Sequence, residues 1–414
     1  MKLLTHIFLI LTAFVNLSCQ TSDSNNHVFF GDELLLKENI ELLKDKRVGV
    51  VTNHSAVLPN NVHLVDTLLT LGINITALFS PEHGIRGEIS DGSKISSSTD
   101  DKTGIPIFSL YGNVKKPTKE MLKNIDIILF DIQDIGVRFY TYISTLYYLL
   151  QSAAENNLSV IVLDRPNPST GMRVSGTVLD TAFKSFIGIA PIPVLHGMTI
   201  GELAELFVEE NFINTSSKPE LTVIKMNGWK RNYFWDDIDR EWIPTSPNIP
   251  SFETALIYPG TAFIEGTNIS EGRGTGDPFL TIGAPFISSE ELINILKSLQ
   301  IAGVDFSPSS FTPVNIKGKV VHPKYGGIKC YGLKFNLTDK KKFNAVEFGV
   351  YLIYSLLKLY PDNFKFKDNY FDKLAGNDKL RKDLLAGKNP SAIISSWEIE
   401  LEKFKSIRKK YLLY

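Results

Sequence analysis

Apolar residues fall along this chain in short, nearly unbroken runs, separated by stretches in which they recur every three or four positions. The runs at 47–52, 74–79, 105–110, 125–131, 159–164, 192–195 and 221–226 are rich in Val, Ile and Leu. They are too short for buried helices and read as strands covered on both faces. Helical spacing marks 33–43, 62–71, 119–123, 142–156 and 200–210. Strands alternating with helices predict an α/β fold with a Rossmann-like parallel sheet. The rhythm stops at Ser246-Pro-Asn248-Ile-Pro250, where Pro, Asn and Ser crowd together. A glycine-rich, loop-like segment from Tyr258 to Gly276 follows. After it come a helix over 289–301, strand-like runs around 311–321 and 326–336, and helices over 345–359 and toward Tyr414. The expected organisation is a leader over 1–19, a tether over 20–27, a Rossmann-like domain over 28–250 and a smaller α+β domain over 251–414.

Composition narrows the function classes. A chain of 414 residues is long for one core and suggests two domains. With 44 basic and 45 acidic residues, net charge −1, there is no electrostatic case for nucleic acid. Cys19 and Cys330 are the only cysteines, which leaves no disulfide framework and no cysteine-rich metal site. The N-terminus departs from the rest. Lys2 precedes an apolar run over 3–15 that ends at Asn16-Leu-Ser-Cys19, the parts of a secretory signal. A cut before Cys19 is the lipoprotein pattern, although Asn16 stands where Leu is usual. The expectation is an exported protein, periplasmic or membrane-anchored, touching the membrane only through a lipid on Cys19.

Polar chemistry collects where the strands end. The first run leads into Asn53-His54 and the second into Pro81-Glu82-His83-Gly84-Ile-Arg86. The fourth leads into Asp131-Ile-Gln133-Asp134 and then Gly136-Val-Arg138-Phe-Tyr140, the fifth into Asp164-Arg165 and the sixth into His196-Gly197. In a parallel sheet these ends share one edge, so they are expected to converge on one crevice. The segment opening the second domain adds Glu265, Asn268, Glu271 and Arg273, and Asn248 marks the boundary. Carboxylates on glycine-rich loops of two domains suit glycosidic bond cleavage. One protonates the leaving oxygen, and another stabilises or attacks the oxocarbenium-like centre or activates water. Glu82 is the candidate acid/base, with Glu271 or Glu265 as its partner. Asn53, His54, His83, Gln133, Arg138, Tyr140 and His196 are expected to line a sugar subsite, with Asp131, Asp164, Asn248 and Asn268 nearby. Arg86, Arg138, Arg165 and Arg273 suggest a substrate bearing a carboxylate. Aromatics from Phe139 to Tyr142 and Trp229, Trp235 and Trp242 are candidates for a stacking wall. Three histidines do not make a metal motif, and Gly272-Arg-Gly-Thr-Gly276 is not a nucleotide loop, so no metal or cofactor is expected.

Several motifs together resemble one family. Phe79-Ser-Pro-Glu-His-Gly-Ile-Arg-Gly87, Phe130-Asp-Ile-Gln-Asp-Ile-Gly-Val-Arg-Phe-Tyr-Thr-Tyr142, Leu163-Asp-Arg-Pro-Asn-Pro168, His196-Gly-Met-Thr-Ile-Gly-Glu202 and Phe263-Ile-Glu-Gly-Thr-Asn-Ile-Ser-Glu-Gly-Arg-Gly-Thr275 look like the exo-β-N-acetylmuramidase NamZ family. The resemblance runs from about Gly31 to the closing Arg408-Lys-Lys-Tyr-Leu-Leu-Tyr414. It implies release of terminal β-1,4-linked N-acetylmuramic acid from the non-reducing end of peptidoglycan fragments, such as MurNAc-GlcNAc or muropeptides. It also implies a cleft between the two domains. The competing expectation is a lipoprotein that binds wall fragments without cleaving them.

Overall fold

The computed structural model describes residues 27–82, 84–85 and 98–414. The expected leader, Cys19 and the tether up to residue 26 lie outside the described residues. Six strands open the fold: β1 (Val48–Thr52), β2 (Ile75–Ser80), β3 (Ser98–Thr99), β4 (Pro106–Ser109), β5 (Ile127–Asp131) and β6 (Ser159–Leu163). A separate antiparallel pair, β7 (Ser175–Val178) and β8 (Pro193–Leu195), precedes β9 (Leu221–Ile224). The main sheet has seven strands in the order β3-β4-β2-β1-β5-β6-β9, and every pairing is parallel except β3 with β4. The chain moves outward from β1 through β2 and β4, then returns to the other side of β1 as β5. The gap between β1 and β5 is therefore the topological switch point, where open α/β sheets bind ligands. Both β1 and β5 are buried along their whole length, as their unbroken apolar sequences require.

The expected strand at 192–195 is not in this sheet. Pro193 has no N–H to give a central ladder, and the short run pairs instead at the margin with β7. The opening helix at 33–43 is wound in three ways: an α turn at Gly31–Leu34, a π turn at Leu35–Asn39 and a 3-10 turn at Ile40–Leu43. Leu35 and Leu43 stay buried throughout. By contrast, the helix Tyr142–Asn156 spans the residues its spacing predicts.

The second half contains a three-stranded antiparallel sheet ordered β10-β12-β11, from β10 (Thr281–Ala284), β11 (Val304–Phe311) and β12 (Cys330–Leu337). The strand expected at 311–321 thus ends where it was predicted to begin. The start of the loop-like segment is also corrected. Phe252–Thr261 is a helix despite Pro259, and Ala262–Gly266 continues it as a 3-10 turn. Tertiary packing overrides propensity here. A Cβ at Gly260 would lie 1.9 Å from the Ala345 carbonyl, so glycine alone lets this helix cross the helix Ala345–Leu359.

One hydrophobic cluster runs through both halves, from Val51 and Phe130 to Phe263, Phe348 and Phe404. The C-terminal residues close back on the first half. Tyr414 donates its hydroxyl to Asp164 Oδ2 (2.6 Å), and Arg408 Nη1 donates to the His196 carbonyl (3.2 Å). Among the described residues no helix is long and apolar enough to cross a membrane.

Candidate active site

β2 ends at Ser80, and Pro81 turns the chain so that Glu82 stands beside the start of the helix Tyr142–Asn156. Thr141, at the N-cap of that helix, donates its hydroxyl to Glu82 Oε2 (2.9 Å). Tyr111, on the loop after β4, also hydrogen-bonds Glu82. Burial first, and then this charge and this bond, push the Tyr111 hydroxyl above its ordinary range. Glu82 is thus oriented by hydroxyl donors from the loop after β4 and from the start of the helix Tyr142–Asn156.

The second half presents its carboxylates differently. Glu265 sits on the 3-10 turn Ala262–Gly266, and Glu271 lies five residues after that turn. Gly272 follows with φ +76°, and a Cβ there would approach the Thr281 carbonyl to 2.6 Å. This left-handed turn returns Arg273 toward the carboxylates it has just passed. Arg273 places Nη2 at 2.9 Å and Nε at 3.2 Å from Glu265 Oε1, with Nε 3.5 Å from Glu271 Oε1. Its guanidinium lies 5.0 Å from the centre of the Phe279 ring. Lys324 holds Glu271 Oε2 at 2.9 Å and donates to the carbonyls of Ile264 and Ile269, each at 2.8 Å. Burial, and then the Glu271 charge, push the Glu265 carboxyl above the usual carboxylate range against the pull of Lys324.

These groups face one cavity of about 460 Å³. Its walls carry Glu82 and Tyr140 from the first half, Asn248 from the boundary, and Glu265, Glu271 and Arg273 from the second. Phe139 and Tyr142 line it too, with Tyr258 and Phe279 completing an aromatic side. Tyr140 donates to Thr245 Oγ1 (2.8 Å) and Tyr142 to the Thr245 carbonyl (2.6 Å), so both rings are locked to the segment leading into the second half. The Tyr370 hydroxyl is raised by the Glu265 charge and then by burial.

The other strand-end residues do not converge there. Asn53 Oδ1 accepts from Ser55 N (3.0 Å) and Oγ (2.6 Å), and Ser55 Oγ accepts from Gln133 N (3.1 Å). This chain of bonds ties the loop after β1 to the loop after β5. Gln133 and Arg165 border a second cavity, of about 660 Å³, with Trp235. Arg165 is spent on a buried ion cluster, with Asp131 at 2.6 Å and Asp32 at 2.7 Å. Asp164 accepts from Thr199 Oγ1 (2.8 Å) and Gly201 N (2.7 Å), anchoring the helix Ile200–Glu209, and burial pushes its carboxyl up to about 7. His54 donates Nε2–H to the Pro244 carbonyl (2.6 Å). His196 is fully buried, accepts from Met198 N at Nδ1 (3.2 Å) and is driven down to about 3 by burial and the charges of Arg408 and Arg138. Arg138 is 1% exposed and donates to the carbonyls of Thr177 (2.5 Å), Ile192 (3.1 Å) and Leu374 (2.7 Å). Asn268 donates to the Asn363 carbonyl and accepts from Lys365 N, both at 2.8 Å. Trp229 packs on Tyr414, and Trp235 on Trp242, away from the first cavity.

Of the three described arginines in that reading only Arg273 lines the cavity, because Arg138 and Arg165 are internal fasteners. Arg86 and His83 lie outside the described residues. Tyr111, Thr141, Tyr258, Lys324, Lys367 and Tyr370 line the cavity or hold its carboxylates without having been singled out as site residues. Thr141 and Tyr258 stood inside segments already of interest. Lys324, Lys367 and Tyr370 come from lysine-rich segments with no local motif. Among the described residues no group of His, Cys, Asp and Glu is placed to hold a metal.

Known relatives match the chain along nearly its whole length. A family model described as exo-β-N-acetylmuramidase NamZ, N-terminal, matches residues 48–253, and its C-terminal counterpart matches 256–414. The peptidoglycan β-N-acetylmuramidase NamZ of Bacillus subtilis (strain 168) is 47% identical over 386 residues, covering 93% of this chain and 91% of that protein. Two crystal structures of DUF1343 family proteins from Bacteroides fragilis NCTC 9343 share the fold. One has TM-score 0.86 at 34% identity and the other 0.76 at 35%, each covering 94% of this chain and 99% of its own. With both halves matched in order and the carboxylates of both facing one cavity, the chain belongs to the exo-β-N-acetylmuramidase NamZ family.

Proposed function

We propose that this protein cleaves the β-1,4 bond of a terminal N-acetylmuramic acid in peptidoglycan fragments, with Glu82 as the proton-transferring carboxyl. It is a glycosidase of the family to which it belongs, and the lining of the cavity supports the residue roles. The observation that supports them is the meeting of its carboxylates, Glu82 from the first half and Glu265 and Glu271 from the second, across one cavity. Glu82 is held by the hydroxyls of Thr141 and Tyr111, whereas Glu271 is held by Lys324 and approached by Arg273. A carboxyl fixed by hydroxyl donors at the cavity wall is placed to exchange a proton with the glycosidic oxygen. A carboxylate held in place by an ammonium group on the facing wall suits the oxocarbenium-like centre. Glu265, raised by burial and then by the Glu271 charge, shares the Arg273 guanidinium with Glu271. Tyr258 and Phe279, 4.7 Å apart and perpendicular, support the aromatic side of the sugar site.

The test uses Glu82→Gln with two substrates, a 4-nitrophenyl β-N-acetylmuraminide and the MurNAc-GlcNAc disaccharide. General acid catalysis contributes roughly 10²–10⁴-fold. The disaccharide, whose leaving group needs the proton, is expected to lose most of that. The nitrophenyl glycoside, with a good leaving group, is expected to lose much less. Equal losses on both substrates would remove the acid role from Glu82.

Export as a lipoprotein is part of the same proposal, supported by Lys2, the apolar run over 3–15 and Cys19. Incorporation of labelled palmitate into the wild type but not into Cys19→Ser is expected. Equal labelling, or none in either, would overturn it.

A further inference from the structure

We propose that Lys367 is the residue that selects the lactyl carboxylate of muramic acid and so separates a muraminide from a glucosaminide. The inference rests on the muramidase reading above and deepens it. The cavity is lined by three carboxylates, Glu82, Glu265 and Glu271, so an anionic sugar entering it meets repulsion unless a cation is reserved for it. Among the described residues three long cationic side chains line the same walls: Arg273, Lys324 and Lys367. Two of them are already occupied. Arg273 is bound to Glu265 and Glu271, and Lys324 to Glu271 and the carbonyls of Ile264 and Ile269. The Lys367 ammonium makes no hydrogen bond or ion pair among the described residues.

Its backbone is nevertheless fixed. Lys367 N donates to the carbonyl of Gly266 (2.8 Å), the last residue of the turn that carries Glu265. The Lys367 carbonyl accepts from Tyr370 N and Phe371 N, both at 2.9 Å, at the start of the helix Asp368–Ala375. The stem therefore springs from an ordered point beside the catalytic carboxylates, and its head is exposed to the cavity. Burial, and then the Lys324 charge, hold the amine below its ordinary range, although Glu271 and Glu265 pull it upward. This is the electrostatic condition of a cation lacking a close anion, and a substrate carboxylate would supply one. A glucosaminide has no such group and gains nothing there.

The experiment measures kcat/KM of the full chain on three aryl glycosides: the β-N-acetylmuraminide, its lactyl methyl ester and the β-N-acetylglucosaminide. Wild type is expected to prefer the free acid over the ester by about tenfold to a hundredfold, the size of one charge-assisted hydrogen bond. Lys367→Met is expected to lose that factor on the free acid, mainly through KM, and to treat acid and ester alike. Lys367→Arg is expected to restore most of the preference. The proposal falls if Lys367→Met keeps the wild-type ratio of acid to ester. It also falls if wild type takes the ester as well as the acid, a comparison that needs no variant. Failure of wild type to cleave the muraminide at all would overturn the muramidase reading and this inference with it. Cleavage with unchanged discrimination in Lys367→Met overturns this inference alone.

Discussion

Asp134 shows how a buried side chain behind the cavity shapes its chemistry without lining it. Its Oδ2 accepts from Gly136 N (2.6 Å), while Oδ1 is buried with no hydrogen-bond partner. Burial pushes the carboxyl from 3.8 up to about 7, against the backbone bonds from Gly136 and Ile135. The folded state thus retains a proton that the unfolded chain releases. Asp134 contributes its full stability below its unfolded pKa and loses it as pH rises toward the folded value. Asp134→Asn has no such dependence. Its stability relative to wild type is expected to improve steadily from about pH 4 to about pH 7 and then level off, read by urea denaturation. A difference that stays constant with pH would show that Asp134 does not titrate in that window. The charge also reaches Tyr140, Tyr142 and Tyr258, so its titration is felt on the aromatic side of the site.

At the scale of elements, the site depends on one turn and one helix start. The turn at Gly272 brings Glu271 and Arg273 to opposite sides of a left-handed residue, and its φ of +76° is a conformation that a side chain resists. Gly272→Ala adds both that strain and a 2.6 Å contact with the Thr281 carbonyl. The expected cost is about 1–3 kcal/mol of stability, with a fall in kcat as the Arg273 bridge to Glu265 is displaced. Unchanged thermal melting and turnover would count against this account of the turn. The helix Tyr142–Asn156 plays the matching part in the first half, since Thr141 at its N-cap fixes Glu82. Its apolar spacing was fully legible. The helix Phe252–Thr261 was not, because Pro259 and Gly260 read locally as loop while close packing on the helix Ala345–Leu359 makes them helical.

At the scale of the molecule, the two halves are joined by internal polar fasteners as well as by a shared core. Arg138 reaches the carbonyls of Thr177 and Ile192 at one end and Leu374, far along the chain, at the other. With no carboxylate bonded to it among the described residues, burial lowers the guanidinium to about 9. Arg138→Met leaves three buried carbonyls to find other partners. A loss of about 2–5 kcal/mol in urea denaturation is expected. Full stability in the variant would show that the shared hydrophobic cluster alone holds the halves together.

The alternation of apolar runs and helical spacing determined the α/β class and most of the main sheet, because burial on both faces leaves a signal that needs no partner to be seen. Carboxylates on glycine-rich loops likewise marked Glu82, Glu265 and Glu271 before any contact was known. The tertiary structure decided which strand-end residues share a cavity. Successive side chains at a strand end point to opposite faces of the sheet. A sequence therefore places Glu82, Gln133 and Arg165 on one edge but cannot show that Glu82 enters one cavity while the other two border a second. It also cannot show whether an arginine meets carbonyls, carboxylates or solvent, which is why Arg138 and Arg165 read as ligand-binding residues and are fasteners instead. Lys324 and Lys367 join the site across long separations in sequence, and only the folded chain brings their charges to its carboxylates.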